Sequence, residues 1–178
     1  MPVYNGAEFL DLALASLCSQ TYTNLEIFIS DNASTDATTQ IIAKWAAKDS
    51  RITVHRHKET VNMEGNFESV IRNVRGKWFC YAAHDDMWSS NYIEELLKPL
   101  LCKEDAIVSI PTRTLIDAKS NEHSTRLYKN YAEAVSFKEI VVRNFSILCS
   151  AWCYALFDKE AFLKLQASRV YFQETLGG

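Results

Sequence analysis

The sequence predicts an α/β protein in which helices cover both faces of a mainly parallel sheet. Short apolar segments typical of strands alternate with amphipathic helical segments through residues 1–110. The stretch Trp78–Ala83 carries no charge and is long enough for a strand buried on both faces. Two carboxylates, Asp85 and Asp86, follow this stretch at the end where open α/β sheets bind their ligands.

Hydrophobic periodicity and capping residues assign the elements of the first half in order. Asn5 predicts a helix start, with Glu8 three residues later completing a capping box, and Phe9 begins the apolar stripe of that helix. The predicted helices cover residues 5–20, 37–48, 66–74 and 91–101, and the predicted strands cover residues 25–30, 52–57, 78–83 and 106–110.

The second half of the chain is less regular. Residues 115–131 are polar and predict an irregular segment, and residues 136–144 predict a short helix. Residues 147–157 form a largely apolar region typical of a strand, after which Asp158 predicts the cap of a last helix over residues 159–166.

Composition excludes several classes of protein. The chain of 178 residues has a net charge of -3 and no basic stripe, so we expect no nucleic-acid partner. No apolar run approaches the ~20 residues that a membrane span needs. The glycine-rich phosphate loops of dinucleotide-binding folds and P-loop proteins are absent from the sequence. An odd count of five cysteines indicates a reducing compartment.

The carboxylate pair has two interpretations at this point. Adjacent like charges at the end of a buried strand repel each other, and a hard cation such as Mg²⁺ or Mn²⁺ would neutralise them, with substrate phosphates as further ligands. Alternatively, Asp85 and Asp86 cap the next helix at a solvated loop, because acidic helix starts are common.

Several motifs together resemble the inverting, family-two glycosyltransferases. Met1–Gly6 is similar to the P-x-Y-N start of that family, and Ser19–Glu26 to its Q-T-Y-x-N-x-E. Asp31–Asp36 resembles D-D/N-x-S-x-D, Gly76–Trp78 resembles G-x-Y, and Asp85–Trp88 resembles D-D-x-W. The motifs occur in the family's order at roughly its spacing, and they cover about residues 1–100.

The resemblance implies a GT-A (Rossmann-like) fold, a nucleotide-diphosphate sugar donor and a divalent cation, Mn or Mg. Asp31 would hydrogen-bond the base, Asp85 would tie the cation to the diphosphate, and Asp86 would be the second metal carboxylate. Most members place another acidic residue where this chain has Ala83. The remaining residues expected to contact the nucleotide sugar are Pro2, Val3, Tyr4, Asn66 and His84.

The resemblance also divides the chain. We expect one GT-A domain over residues 1–178, with a nucleotide-sugar-binding half at residues 1–88 and an incomplete acceptor-side half at residues 89–178. Both ends resemble truncations: the family's first strand has more residues before Met1, and its catalytic base follows the position of Gly178. Glu174 is the candidate base within the chain.

The resemblance implies transfer of a sugar to an acceptor hydroxyl with inversion, in the synthesis of cell-surface polysaccharide. The acceptor would be a saccharide or a lipid-linked saccharide, and the protein would be cytoplasmic, with a peripheral position at the inner face of the membrane as a variant. A non-catalytic nucleotide-sugar-binding module and a nucleotidyltransferase are the alternatives. The sequence leaves open the sugar, the acceptor and the base, beyond a preference for uridine or thymidine.

Overall fold

The computed structural model describes residues 1–111, 113–116, 122–126, 133–136, 154–164 and 166–167. The chain divides into two compact units. The first consists of Met1–Gly76 and Tyr81–Glu94, and the second consists of Lys77–Cys80 and Glu95–Gly178. The prediction of a single domain whose halves meet at residues 88 and 89 remains a prediction.

The first unit is built on a parallel sheet of three strands in the order β1-β2-β3. The predicted alternation of strands and helices is therefore confirmed in this unit. Its strands are β1 (Pro2–Val3), β2 (Ile27–Asp31) and β3 (Ile52–Arg56), and its helices are α1 (Leu10–Cys18), α2 (Thr38–Ala46) and α3 (Met63–Asn73).

The local sequence pattern predicts the buried face of helix α1 but not the residue at which the helix begins. The predicted stripe is buried, apart from Phe9, which directly precedes the helix. The predicted capping box is wrong, because Asn5 adopts a positive φ of 47°. The Asn5 side chain instead accepts a hydrogen bond from the backbone N–H of Thr35 at 2.8 Å. The buried residues of α1 are Leu10, Ala13, Leu14 and Leu17.

The second unit contains a four-stranded sheet in which the described strand pairs are antiparallel. The sheet order is β4-β9-β5-β8, and β6 pairs with β7 as a separate hairpin. Helix α4 (Tyr92–Cys102) leads into this unit, close to its predicted bounds. The strands are β4 (Trp78–Phe79), β5 (Ala106–Ile110), β6 (Arg113–Ile116), β7 (Glu122–Arg126), β8 (Glu133–Ser136) and β9 (Leu156–Asp158).

Two predictions for the second half of the chain differ from the structure. The strand expected at residues 78–83 ends at Phe79, because Tyr81 and Ala82 leave it and are buried in the first unit. The segment 115–131, expected to be irregular, contributes to the β6–β7 hairpin. Residues 137–153, which include most of the predicted helix 136–144, lie outside the described residues.

The cap predicted at Asp158 is confirmed. Its Oδ1 accepts a hydrogen bond from the backbone N–H of Ala161 at 3.0 Å, and residues 159–164 are helical. The ring of Phe162 then packs against Phe79 and Phe157, with ring centroids 4.8 and 4.9 Å away. The described residues include no helix with the length and hydropathy needed to cross a bilayer.

Candidate nucleotide-sugar site

The carboxyl ends of the three parallel strands lie side by side at one edge of the first unit's sheet. The register pairs Val3 with Asp31 and Asp31 with Arg56. Each strand is followed by a loop that starts at this edge, so the side chains at the ends of β1, β2 and β3 converge there. Open α/β sheets bind ligands at such an edge.

Asp31, the predicted base contact, is 1% exposed and already has three donors. Its Oδ1 accepts from the backbone N–H of Ser34 at 3.0 Å, and its Oδ2 accepts from the Thr39 hydroxyl at 3.1 Å. The guanidinium of Arg56 forms an ion pair with the same Oδ2. Burial by itself would raise the pKa of Asp31, but the hydrogen bonds from Ser34 and Arg56 outweigh it and hold that pKa below its usual value.

The loop that follows Asp31 holds the backbone of the β1–α1 turn. Ser34 Oγ accepts from the N–H of Asn5 at 3.0 Å, and Thr38 Oγ1 accepts from the N–H of Gly6 at 2.8 Å. Asp36 Oδ2 accepts from the N–H of Ala7 at 3.1 Å. Ser34 and Asp36 of the Asp31–Asp36 motif, together with Thr38, therefore order the turn that carries Tyr4, because they satisfy its backbone donors.

Ala33 occupies a backbone conformation in this loop that disfavours a Cβ atom, with φ of 55°. We expect Ala33→Gly to stabilise the protein by about 0.5–1 kcal/mol, because glycine adopts this conformation without steric cost. Thermal denaturation measures the change, and Ala43→Gly is the control, since Ala43 lies within α2. The control should lose about 1 kcal/mol. Equal losses in both variants would contradict the prediction.

The residues predicted at the start of the chain divide into a buried and an exposed group. Pro2 and Val3 are buried in β1, and the Val3 carbonyl accepts from the N–H of Asn32 at 2.9 Å. Tyr4 is 48% exposed, which leaves its ring free to contact a ligand. Contact of Pro2, Val3 or Tyr4 with a nucleotide remains a prediction.

Asn66 places an unpartnered acceptor in the same unit. The residue is 5% exposed, its Oδ1 has no hydrogen-bond partner among the described residues, and its Nδ2 donates to the Val3 carbonyl at 3.5 Å. A buried acceptor without a donor is destabilising by about 1–3 kcal/mol unless a water molecule or ligand supplies one. This cost favours Asn66 as a residue that contacts a ligand.

His84 is fixed against the β1–α1 turn. A Cβ atom added to Gly6 would lie 2.5 Å from Cδ2 of His84 and 2.9 Å from Cγ2 of Val3. Only a glycine therefore fits beneath the imidazole ring. Because His84 directly precedes Asp85, this contact fixes the start of the segment that carries the carboxylate pair.

The variant Gly6→Ala tests whether this contact matters for ligand binding. The new methyl group would displace the His84 ring, and we expect the affinity for UDP in the presence of Mn²⁺ to fall by about tenfold, since 1.4 kcal/mol corresponds to that factor. Calorimetric titration measures it. Gly65→Ala is the control, because its Cβ would meet Asn62 Oδ1 at 2.9 Å and Val61 Cγ2 at 3.5 Å, and neither atom belongs to the β1–α1 turn or to the segment that carries the carboxylate pair. Equal affinity losses in the two variants would contradict the prediction.

The carboxylate pair has the chemistry of a cation site without a complete set of ligands. Asp85 is exposed and Asp86 is half-buried, and neither forms a hydrogen bond or ion pair with another residue that the structure describes. Two adjacent unpaired carboxylates fit a hard divalent cation. Across the described ranges, no group of three or more His, Cys, Asp or Glu residues could hold a metal.

Motif residues that the sequence interpretation left without a role have structural partners. Glu26 accepts from the backbone N–H of Gly76 at 2.9 Å and from that of Arg75, so it holds the turn before β4. Gln20, from the same Q-T-Y-x-N-x-E motif, contacts the segment after the carboxylate pair. The Q-T-Y-x-N-x-E motif, which contains both Gln20 and Glu26, was the sequence signal that could have indicated their importance. Glu174, the candidate base, lies outside the described residues.

The parallel sheet with the polar loop at its carboxyl edge, and the carboxylate pair in the same unit, correspond to the GT-A class of fold, and solved structures share that fold. Staphylococcus aureus TarS residues 1–349, solved with UDP, aligns with a TM-score of 0.71 and 18% identity, over 93% of this chain and 47% of that 1–349 chain. The Pyrobaculum calidifontis mannosyltransferase PcManGT, solved with GDP-Man and Mn²⁺, aligns with a TM-score of 0.57 and 23% identity, over 63% of this chain and 34% of that one.

The chain belongs to glycosyl transferase family 2, whose family model matches residues 1–166. A glycosyltransferase of Rickettsia prowazekii is 34% identical over 123 residues, which are 68% of this chain and 37% of that protein. Streptococcus pneumoniae GlyA is 30% identical over 101 residues, 57% of this chain and 14% of GlyA. The chain thus spans little more than a third of the length of the Rickettsia relative.

Proposed function

We propose that the protein acts as a glycosyltransferase, which transfers a sugar from a nucleotide-diphosphate donor to an acceptor hydroxyl with inversion. The observation that supports this most strongly is the unpaired Asp85–Asp86 pair in a family-two chain, in the same unit as the Asp31 loop and Tyr4. The neighbouring structures with UDP and with GDP-Man and Mn²⁺ support a nucleotide-sugar donor for this chain as well.

Different residues would bind the base of the donor and its diphosphate. The ring of Tyr4 would stack on the base, and Asp31 would order the loop around it and offer its remaining lone pair to a base N–H. Asp85 and Asp86 would hold Mn²⁺ or Mg²⁺ together with the diphosphate. When bound, the cation would stabilise the negative charge that develops on the leaving diphosphate. The other residues in this proposal are Pro2, Val3, Asn66 and His84.

The transfer itself needs a base near the acceptor. A bond forms between the acceptor oxygen and the anomeric carbon while the bond from that carbon to the diphosphate oxygen breaks, and the acceptor proton passes to a carboxylate. Glu174 is the proposed carboxylate in this chain. The acceptor is proposed to be a saccharide or a lipid-linked saccharide of the cell surface, reached from the cytoplasmic side.

Calorimetric titration with UDP and with GDP, in EDTA and in Mn²⁺, tests donor binding, and release of UDP from UDP-GlcNAc tests turnover. We expect one nucleotide to bind more tightly in Mn²⁺ than in EDTA. Release of UDP would show turnover directly, and binding without it is the outcome expected of the nucleotide-sugar-binding alternative. If neither nucleotide binds under either condition, the proposed function is wrong.

A further inference from the structure

The segment after the carboxylate pair is held by the end of helix α1. The amide of Gln20 bridges this segment: its Nε2 donates to the Ser89 carbonyl at 2.8 Å, and its Oε1 accepts from the backbone N–H of Ile93 at 3.1 Å. Ile93 lies in the first turn of α4, where backbone N–H groups have no partner within the helix. Gln20 therefore supplies a partner that this helix start needs.

Gln20 is itself held firmly. It is 4% exposed, and Nε2 also donates to the Ser16 carbonyl of α1 at 3.2 Å. Three of its hydrogen bonds are thus made within the protein, two of them to residues about 70 positions away along the chain. A buried amide with this many partners has one orientation, because any rotation would leave a donor or an acceptor unsatisfied.

Two neighbouring contacts hold the same segment. The backbone N–H of Trp88 donates to Ser16 Oγ at 3.2 Å, and that of Thr21 donates to the Ser90 carbonyl at 2.7 Å. The Trp88 side chain is buried in the core of the first unit. The backbone is consequently fixed from Trp88 onward, only three residues after Asp85.

The carboxylate pair lies between two anchored ends. His84 packs on Gly6 on one side, and on the other Trp88 to Ser90 are bound by Ser16 of α1 and by Gln20 and Thr21, which follow α1. Free adjacent carboxylates would turn away from each other, because like charges repel, and ordering them on a cation would cost conformational entropy. A short segment fixed at both ends has lost much of that freedom before any ligand binds.

We propose that Gln20 is a positioning residue for cation-dependent donor binding, acting through Ser89 and Ile93 on the segment that carries Asp85. The inference rests on the proposed function and goes beyond it, since Gln20 is buried and its side-chain hydrogen bonds go to Ser16, Ser89 and Ile93. It predicts that loss of the Gln20 amide weakens the Mn²⁺-dependent part of nucleotide affinity and spares the part that is independent of the cation.

The test is Gln20→Met, which keeps the side-chain length and removes the amide. We expect the Kd for UDP in EDTA to stay within about twofold, and the gain in affinity on adding Mn²⁺ to fall by about fivefold, the size expected for the loss of one or two hydrogen bonds. The variant Ser16→Ala, which removes the acceptor for Trp88, should change the same quantity in the same direction, and it perturbs the core less.

The matched control is Arg51→Met. Its Nη2 donates to the Cys18 carbonyl at the same end of α1, at 2.7 Å, and its other partner is Asp49. Within the part of the chain that the structure describes, its side chain makes no hydrogen bond or ion pair with residues 88–93. We expect this variant to lower the melting temperature and leave the Mn²⁺ effect unchanged. Melting temperatures of all three variants separate stability from positioning.

The outcomes are distinguishable. Gln20→Met and Ser16→Ala variants that keep the full Mn²⁺ effect would overturn the inference and leave the proposed function standing. Equal losses of affinity in EDTA and in Mn²⁺ would show a general structural role and also overturn it. If the unaltered protein binds UDP and GDP no better in Mn²⁺ than in EDTA, the proposed cation dependence fails and the inference fails with it.

Discussion

Asp85→Ala should abolish the effect of Mn²⁺ on nucleotide affinity while leaving the fold intact. Asp85 is exposed and makes no hydrogen bond or ion pair with another described residue, so its removal breaks no interaction of the folded protein. A direct ligand should matter more than the outer partners of a metal site, whose loss weakens metal binding by about 10–100-fold. We therefore expect the Mn²⁺-dependent gain in UDP affinity to fall by about 100-fold or more.

The neighbouring carboxylate gives the sharpest comparison. Asp86 is half-buried, and it corresponds to the second aspartate of the D-D-x-W motif. Asp86→Asn should therefore reduce the Mn²⁺-dependent gain in UDP affinity by only about tenfold. Asp105→Ala removes the same type of exposed carboxylate from the second unit and should change nothing. Calorimetric titrations in Mn²⁺ and EDTA decide the matter, and an unchanged Mn²⁺ effect in Asp85→Ala would remove the cation from this residue.

Local sequence patterns predicted most of the regular structure. Strand β5 has the predicted bounds, and α2, β3 and α4 differ from their predicted bounds by no more than two residues at either end. These elements are defined by periodicity over neighbouring residues, which a sequence displays directly. The shortened strand β4 shows the limit of this approach. Tyr81 and Ala82 are buried because they pack in the first unit, and not because they lie in a strand. In the sequence, a run of apolar residues looks the same whether it forms a buried strand or a buried loop.

The sequence indicated candidate residues for the site and did not indicate the hydrogen bonds and ion pairs that hold them. The motifs indicated Asp31 and Asp85 because their spacing is that of the family. Arg56 and Gln20 were missed, since each acts on a residue far along the chain, 25 positions away for Arg56 and Asp31 and 69 for Gln20 and Ser89. Asn5 was misassigned as a helix cap for the same reason, because its partner Thr35 is 30 positions away.

The second large effect should come from Asp31, and it should appear in stability as well as in binding. Asp31→Ala leaves the Ser34 N–H and the Thr39 hydroxyl without their acceptor, and it leaves Arg56 without its carboxylate. Arg56 is partly exposed and can recover contact with water, so the cost should lie below that of a fully buried ion pair. We expect a loss of about 2–3 kcal/mol, which lowers the melting temperature by roughly 5–10 °C.

The pH dependence of this effect follows from the direction of the pKa shift. The folded protein holds the pKa of Asp31 below its usual value, so the unfolded chain binds the proton more readily. The stabilisation is therefore fully present above the unfolded pKa of about 4 and is lost as the pH falls through the lower folded value. The difference in melting temperature between the unaltered protein and Asp31→Asn should be largest near pH 7 and shrink below about pH 4.

The exposed Asp36 of the same loop provides the control. It accepts hydrogen bonds from the backbone N–H groups of Thr38 and Ala7 at 3.0 and 3.1 Å, but water can replace it at these donors. Asp36→Asn should therefore lower the melting temperature much less than Asp31→Ala.

If Asp31 also contacts the base, Asp31→Asn weakens UDP binding equally in EDTA and in Mn²⁺, because the base does not touch the cation. A loss confined to Mn²⁺ would contradict that role, and a loss of stability no larger than that of Asp36→Asn would show that Arg56 and Thr39 do not depend on this carboxylate.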